Sequence, residues 1–297
     1  MNILLYLSVV LIWGTTWIAI SLQQGSVAAE VSIFWRFLLS SVILLAFLAL
    51  TKRLHPLSRR AHLLCMLQGL CVFGINFICF YHAIAWISSG LESVIFSMAV
   101  LFNAFNSRLF FGQRLSVNVM LAAPLGLIGI AALFWHDLIN MEAQPHLLLG
   151  AGLCLLGTYC FSLGNMISSQ HQRQGRDVMT TNGWGMFYGA LWMGALSLFQ
   201  GYDFAPETTA RYLASLFYLA LFGSVIAFGA YFSLVGRIGA SQAAYATLLF
   251  PPIALSVSTL FEDYHWRLNA VIGLLLILTG NAVMFYRPRR QARCAAK

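Results

Sequence analysis

Residues 31–50 read VSIFWRFLLSSVILLAFLAL. A single charge, Arg36, interrupts a stretch that is otherwise apolar or small and hydroxylated. As a helix, such a stretch covers about 30 Å, the thickness of a bilayer's hydrocarbon core. Similar stretches recur from Ile3 to Tyr286. Of the 297 residues, 60% are hydrophobic and 9% charged, whereas a soluble domain carries roughly 25% charged residues. The chain is therefore expected to be an all-α integral membrane protein. A soluble enzyme with a tail anchor, a disordered chain, a collagen and a disulfide scaffold are excluded by the same composition.

The net charge of +8 comes from basic residues in short loops that form no basic face. Such charges set membrane orientation, so no nucleic-acid partner is expected. The six cysteines include no C-x-x-C pair, and five lie in apolar segments, where they read as small buried apolar residues. The seven histidines are scattered, and no glycine-rich loop ends in Gly-Lys-Ser/Thr. No cofactor or metal is expected. Ile3–Ile20 lacks a preceding basic region and a following cleavage site, and reads as a retained first span.

Apolar segments long enough to span run near 3–22, 31–50, 63–86, 91–111, 115–135, 147–169, 181–199, 211–235, 240–261 and 266–286. With the N-terminus inside, Lys52, Arg53, Arg59, Arg60, Arg108, Arg114, Arg173, Arg176, Arg237, Arg287, Arg289, Arg290, Arg293 and Lys297 are cytoplasmic, 14 of the 17 basic residues. Only Arg36, Arg211 and Arg267 fall outside. The positive-inside rule therefore places both termini in the cytoplasm.

A shift of 150–151 residues aligns Tyr81 with Tyr231, Leu125 with Leu276, Gly129 with Gly280 and Phe134 with Phe285. Five spans per half forces the second half to insert upside down. The expected architecture is ten transmembrane helices as two inverted five-helix repeats, as in many secondary transporters. The boundaries are 1–135 for the first repeat, 136–146 for a periplasmic connection, 147–286 for the second repeat and 287–297 for a cytoplasmic basic tail.

Ordered motifs carry a resemblance. The first span holds Trp13-Gly14-Thr15-Thr16, the second Arg36-Phe37-Leu38-Leu39, the fourth ends in Phe111-Gly112-Gln113-Arg114-Leu115-Ser116, and the ninth holds Pro251-Pro252. Together with the span count and the repeat, they resemble an EamA-type exporter of the drug/metabolite transporter superfamily over essentially the whole chain. Gln113 replaces a usual glutamate, and Val100 stands where proline is frequent. The resemblance implies export of small metabolites, often amino acids, across the bacterial cytoplasmic membrane. It leaves drugs, purines and vitamins open, and a site drawn from spans one to four and six to nine.

Ionisable residues inside a bilayer are costly and point to function. Arg36, His82 and Glu92 are expected at similar depth near the outer side, where an Arg36–Glu92 ion pair is geometrically possible. That cluster is either a gate or substrate anchor, or a set of residues snorkelling to the headgroups. His82 is the best proton-coupling candidate. By the repeat, Glu92 corresponds to Gln242, so Gln242 and Tyr245 are candidates for the cytoplasmic entrance. Asn76, Asn103 and Asn165 lie near mid-membrane. Thr16 lies in the Trp-Gly motif, with helix packing as its simpler role. Trp13, Trp17, Tyr81, Phe96, Tyr159, Trp184 and Tyr188 are candidates to line a cavity suited to apolar or aromatic solutes, with ring faces favouring cations; packing is the simpler reading for most of them. The expected partners are a small-molecule substrate, membrane lipids, and protons or a counter-solute. A membrane-embedded enzyme is the weaker alternative, because His82 and Glu92 lack a nucleophile. A channel is weaker too.

Overall fold

The computed structural model describes residues 2–114, 117–133, 135, 145–244, 246–262 and 266–285. Leu115-Ser116 of the junction motif, Phe134, Tyr245, most of the 136–146 connection and the 287–297 tail lie outside the described residues. Among the described residues the chain is helical, with no strand. The helices are α1 (Asn2–Ser21), α2 (Ala29–Leu50), α3 (Arg59–Ala83), α4 (Ser89–Phe111), α5 (Val117–Leu133), α6 (Pro145–Arg173), α7 (Val178–Phe199), α8 (Ala210–Ile238), α9 (Pro251–Phe261) and α10 (Leu268–Phe285). Of these, α1, α2, α3, α4, α6 and α8 are long and apolar enough to cross a bilayer. α9 and Leu268–Gly280 of α10 are shorter apolar helices.

Local chemistry marks the ends. Ser58, Ser88, Asp177 and Thr209 accept the backbone N–H of Ala61, Leu91, Thr180 and Tyr212, capping α3, α4, α7 and α8. Gly112 closes α4 at φ 66°, and Gly239 follows α8 at φ 86°. Both conformations favour glycine because a Cβ crowds the backbone there. Burial follows membrane logic. Ile3, Leu4, Leu7 and Leu11 face outward, while Arg36, Asn103 and Asn165 are buried.

The structure interrupts helices that the sequence reads as continuous. α4 breaks at Ser97–Met98, and α9 is preceded by the short turns Ala240–Ala243 and Ala246–Leu249. Pro251 and Pro252 start α9, where the missing N–H costs nothing. α3 and α8 each carry a π-helical stretch, Gly69–Ile75 and Leu219–Ile226. Such stretches redirect backbone carbonyls and often mark functional positions. Ser224 Oγ donates to Leu219 O (2.8 Å), Ser40 Oγ to Ala220 O (3.1 Å) and Trp13 Nε1 to Gly223 O (3.2 Å).

α2 packs along α7, and α5 along α10. α3 packs on α6 and α7, and α8 on α1 and α2. α4 packs on α6, α9 and α1, and α9 also on α1. Gly185-x-x-x-Gly189 of α7 makes a close approach to Gly69 of α3. A Cβ on Gly69 would lie 2.5 Å from Gly185 O and 2.7 Å from Gly189 N. Gly90 and Gly236 are helical. Gly90 lies against Leu255 and Ser258, and Gly236 against Gln172.

Gly69→Ala is expected to cost about 1–3 kcal/mol by overpacking against backbone. It should lower the melting temperature of the detergent-purified protein. Gly152→Ala, where an added Cβ meets nothing within 4 Å, should leave it unchanged.

Candidate functional site

α1, α2, α3, α4, α6 and α8 meet around a small cavity with about 30 Å³ of space for a water-sized sphere, room for about two waters. Trp13, Thr16, Trp17 and Ile20 come from α1, and Arg36 from α2. Asn76, Phe77 and Phe80 come from α3, with Phe96, Phe161 and Phe228 from α4, α6 and α8. The rings meet mostly edge to face: Trp17 is 5.1 Å from Phe80 and 5.5 Å from Phe96, and Trp13 is 4.9 Å from Phe228. Of the sequence candidates, Trp13, Thr16, Trp17, Arg36, Asn76 and Phe96 are brought together here. Thr16 Oγ1 donates to Trp13 O within its own helix (3.0 Å).

Arg36 is 1% exposed. Its Nε donates to Ser224 Oγ at 3.1 Å, on the π stretch of α8. Its guanidinium carbon lies 4.3 Å from the Phe77 ring centre and 5.2 Å from that of Phe37. It also interacts with the Tyr81 hydroxyl. Among the described residues no carboxylate lies within 4 Å of it, and its Nη1 has no partner. Trp17 Nε1 and Asn76 Oδ1 are likewise buried and unpartnered, while Asn76 Nδ2 donates to Val72 O (3.2 Å).

The Arg36–Glu92 ion pair that the sequence leaves possible does not form. α2 packs against α3, α7 and α8, whereas α4 packs against α1, α6 and α9. Sequence fixes a residue's depth along its helix but not which neighbours that helix faces. His82 pairs instead with Glu30 at 3.3 Å, its side chain 48% exposed. Glu92 is fully buried, with Cys154 Sγ at 3.9 Å and Oε2 unpartnered. Tyr81 lies beside the cavity and donates to Gln23 Oε1 (2.6 Å), and Gln24 Nε2 donates to Tyr81 O (3.0 Å).

Sequence reasoning missed Glu30, Gln23, Ser224 and Glu262. One oxygen of Glu262 accepts Ser89 N (3.0 Å), Ser89 Oγ (2.8 Å) and Ser258 Oγ (2.6 Å), tying the end of α9 to the start of α4. Gln23 and Glu262 sit just outside apolar runs and read as loop residues. Ser224 sits in a run where serine is unremarked, and only the π stretch gives it significance.

Below the cavity, Asn165 Nδ2 donates to Asn103 Oδ1 and to the Tyr231 hydroxyl, both at 3.1 Å. All three residues are fully buried. They lie one or two turns past Phe96, Phe161 and Phe228, and one turn before Ser107, Ser169 and Val235. Ser107, Ser169 and Val235 line a second, polar cavity of about 450 Å³ by the same water-sized measure, with Gln172, Arg173 and Gln242. This vestibule lies at the end that carries Arg108, Arg114, Arg173, Arg176 and Arg237. Gln242 is exposed there, and its backbone carbonyl accepts the Tyr6 hydroxyl.

Besides His82 and Glu92, three further sequence candidates lie away from both cavities. Tyr159 is edge-on to Phe102 (5.4 Å). Trp184 packs on His62 (4.9 Å), and the Tyr188 hydroxyl is 3.1 Å from His62 Nδ1. These contacts join α7 to α3.

An all-helical chain with an apolar exterior and polar groups gathered at its centre is built as a membrane transport protein is. The chain belongs to the EamA-like transporter family, whose model matches residues 1–135 and 148–286. It is 28% identical over 282 residues to the "Uncharacterized inner membrane transporter YedA" of Escherichia coli (strain K12), covering 90% of this chain and 87% of that one. It is 24% identical over 279 residues to the "Uncharacterized transporter YoaV" of Bacillus subtilis (strain 168), covering 92% and 93%. It is also 24% identical over 287 residues to the "Probable amino-acid metabolite efflux pump" of Escherichia coli (strain K12), covering 93% and 92%. A protein of known crystal structure shares the fold, with TM-score 0.70, 16% identity and coverage of 97% and 98%.

Asn165→Ala removes two hydrogen bonds from the layer between the cavities, each worth about 0.6–2 kcal/mol in a membrane interior. A cysteine placed at Phe96 should then react faster with a membrane-impermeant thiol reagent than the same cysteine with Asn165 intact. Equal rates would show that the layer does not control access.

Proposed function

We propose that this chain is a secondary transporter that exports small metabolites, foremost amino acids or related compounds, across the bacterial cytoplasmic membrane by alternating access. The observation that carries the reading is a buried aromatic cavity around an uncompensated arginine at the centre of a transporter-family bundle. The relative named as an amino-acid metabolite efflux pump supports the substrate class. The inner-membrane relative supports the location, and the basic residues on one side support an N-in, C-in orientation.

Alternating access rests on the proposed inverted repeat of ten spans, halves 1–135 and 147–286 joined through 136–146. Packing supports it. Exchanging each helix with the one five places along converts α3–α6 into α8–α1, α3–α7 into α8–α2, and α4–α6 into α9–α1. It maps α2–α7 and α5–α10 onto themselves. The two π stretches also fall about 150 residues apart, at Gly69–Ile75 and Leu219–Ile226. In this reading the vestibule is the cytoplasmic entrance, with Gln242 on its wall. The Asn103–Asn165–Tyr231 layer is the inner gate. The Glu262–Ser89–Ser258 and Tyr81–Gln23 contacts are the outer closure. Protons or a counter-solute drive the cycle.

Purified protein in liposomes should exchange labelled amino acids for unlabelled ones loaded inside. Arg36→Ala at equal incorporation should lower the exchange at least about tenfold, the effect of roughly 1.4 kcal/mol. If no amino acid, drug, purine or vitamin moves under any gradient, the transport reading fails.

A further inference from the structure

We infer that the central cavity is a carboxylate site: its solutes are compact monocarboxylates with an apolar or aromatic body, and an amino group is dispensable. This deepens the transport reading above and rests on it for the direction of movement, but not for binding.

The argument begins with unsatisfied groups. Arg36 is buried with Nη1 unpartnered and no carboxylate within 4 Å among the described residues. A buried charge without a counter-ion is strongly unfavourable. Trp17, another residue of the same lining, carries a second buried donor without an acceptor, Nε1. Two donors, one of them cationic, match the two oxygens of a carboxylate. The remaining unpartnered side-chain atom of the lining is one acceptor, Asn76 Oδ1. An ammonium group would thus find one neutral oxygen and no carboxylate.

Of the lining rings, whose faces favour cations, Phe77 already carries one. The Arg36 guanidinium stacks over Phe77 and Phe37. A bare amine would meet like charge in the same space. A phosphate or dicarboxylate would need a second cation, and Arg36 is the one charged residue of the lining. The other walls are mostly rings, including Phe80, Phe96, Phe161 and Phe228, which suit an apolar body. The cavity as it stands has room only for water-sized molecules, so such a solute enters as the Asn103–Asn165–Tyr231 layer parts.

The test compares four probes on the purified protein in detergent, by thermal shift, and in liposomes, by inhibition of phenylalanine exchange. They are phenylalanine, 3-phenylpropionate, phenylalaninamide and phenethylamine. The two acids should act within about threefold of each other, and the amide and the amine should be at least about tenfold weaker, as expected for losing a charge-assisted pair. Arg36→Gln should erase the preference for acid over amide. Trp17→Phe keeps the ring, removes the donor and should weaken both acids several-fold; it serves as the second variant where Arg36→Gln fails to fold. The proposal is overturned if amide and acid act alike, if the amine is preferred, or if none of the four shifts the melting temperature while another solute is exchanged. Acid-selective stabilisation without exchange of any solute would keep the carboxylate site and remove the exporter.

Discussion

One buried guanidinium sets the terms for the middle of this bundle. Arg36 lies where apolar helices converge, and its contacts there are a serine hydroxyl, a tyrosine hydroxyl and two phenyl faces. Holding a cation in that place requires acceptors and ring faces drawn from several helices. The π stretch of α8 helps supply them. It brings Ser224 to Arg36, and its carbonyls take up Ser224, Ser40 and Trp13.

The close approach of α3 and α7 is the second requirement. Gly69, Gly185 and Gly189 let backbone meet backbone. Lipid offers no hydrophobic drive between helices, so such contact area holds neighbours together. His62, Trp184 and Tyr188 line the same seam. The aromatic residues of α7 thus serve packing, and the aromatic cavity is built from the helices on the other side of α3.

Along the bundle axis the polar groups fall into layers. Glu262 and Tyr81 organise one end. The aromatic cavity with Arg36 follows, then the Asn103–Asn165–Tyr231 cluster, then the polar vestibule. In the proposed reading, a narrow centre between a closed end and a wide end is one of the conformations that alternating access requires. Glu92, one turn before Phe96, makes no pair with Arg36, because α4 packs on α1, α6 and α9.

Much of this was legible in the residues. Length and apolar runs established helices in a membrane, because a bilayer leaves no other way for an open chain to satisfy its backbone. The ordered motifs pointed to the family. The apolar context of Arg36, Trp13, Trp17, Asn76 and Phe96 marked them as candidates, since polar or bulky aromatic groups at that depth need a partner or a cavity. Tertiary structure alone decided which of them meet. Hydropathy reports depth along a helix axis and is blind to rotation about it. It therefore offered Arg36 and Glu92 as a pair, and offered Trp184 and Tyr188 as cavity residues. The π stretches, the break at Ser97–Met98 and the partners Ser224 and Glu262 arise from packing between segments distant in sequence, a relation no local pattern of residues encodes.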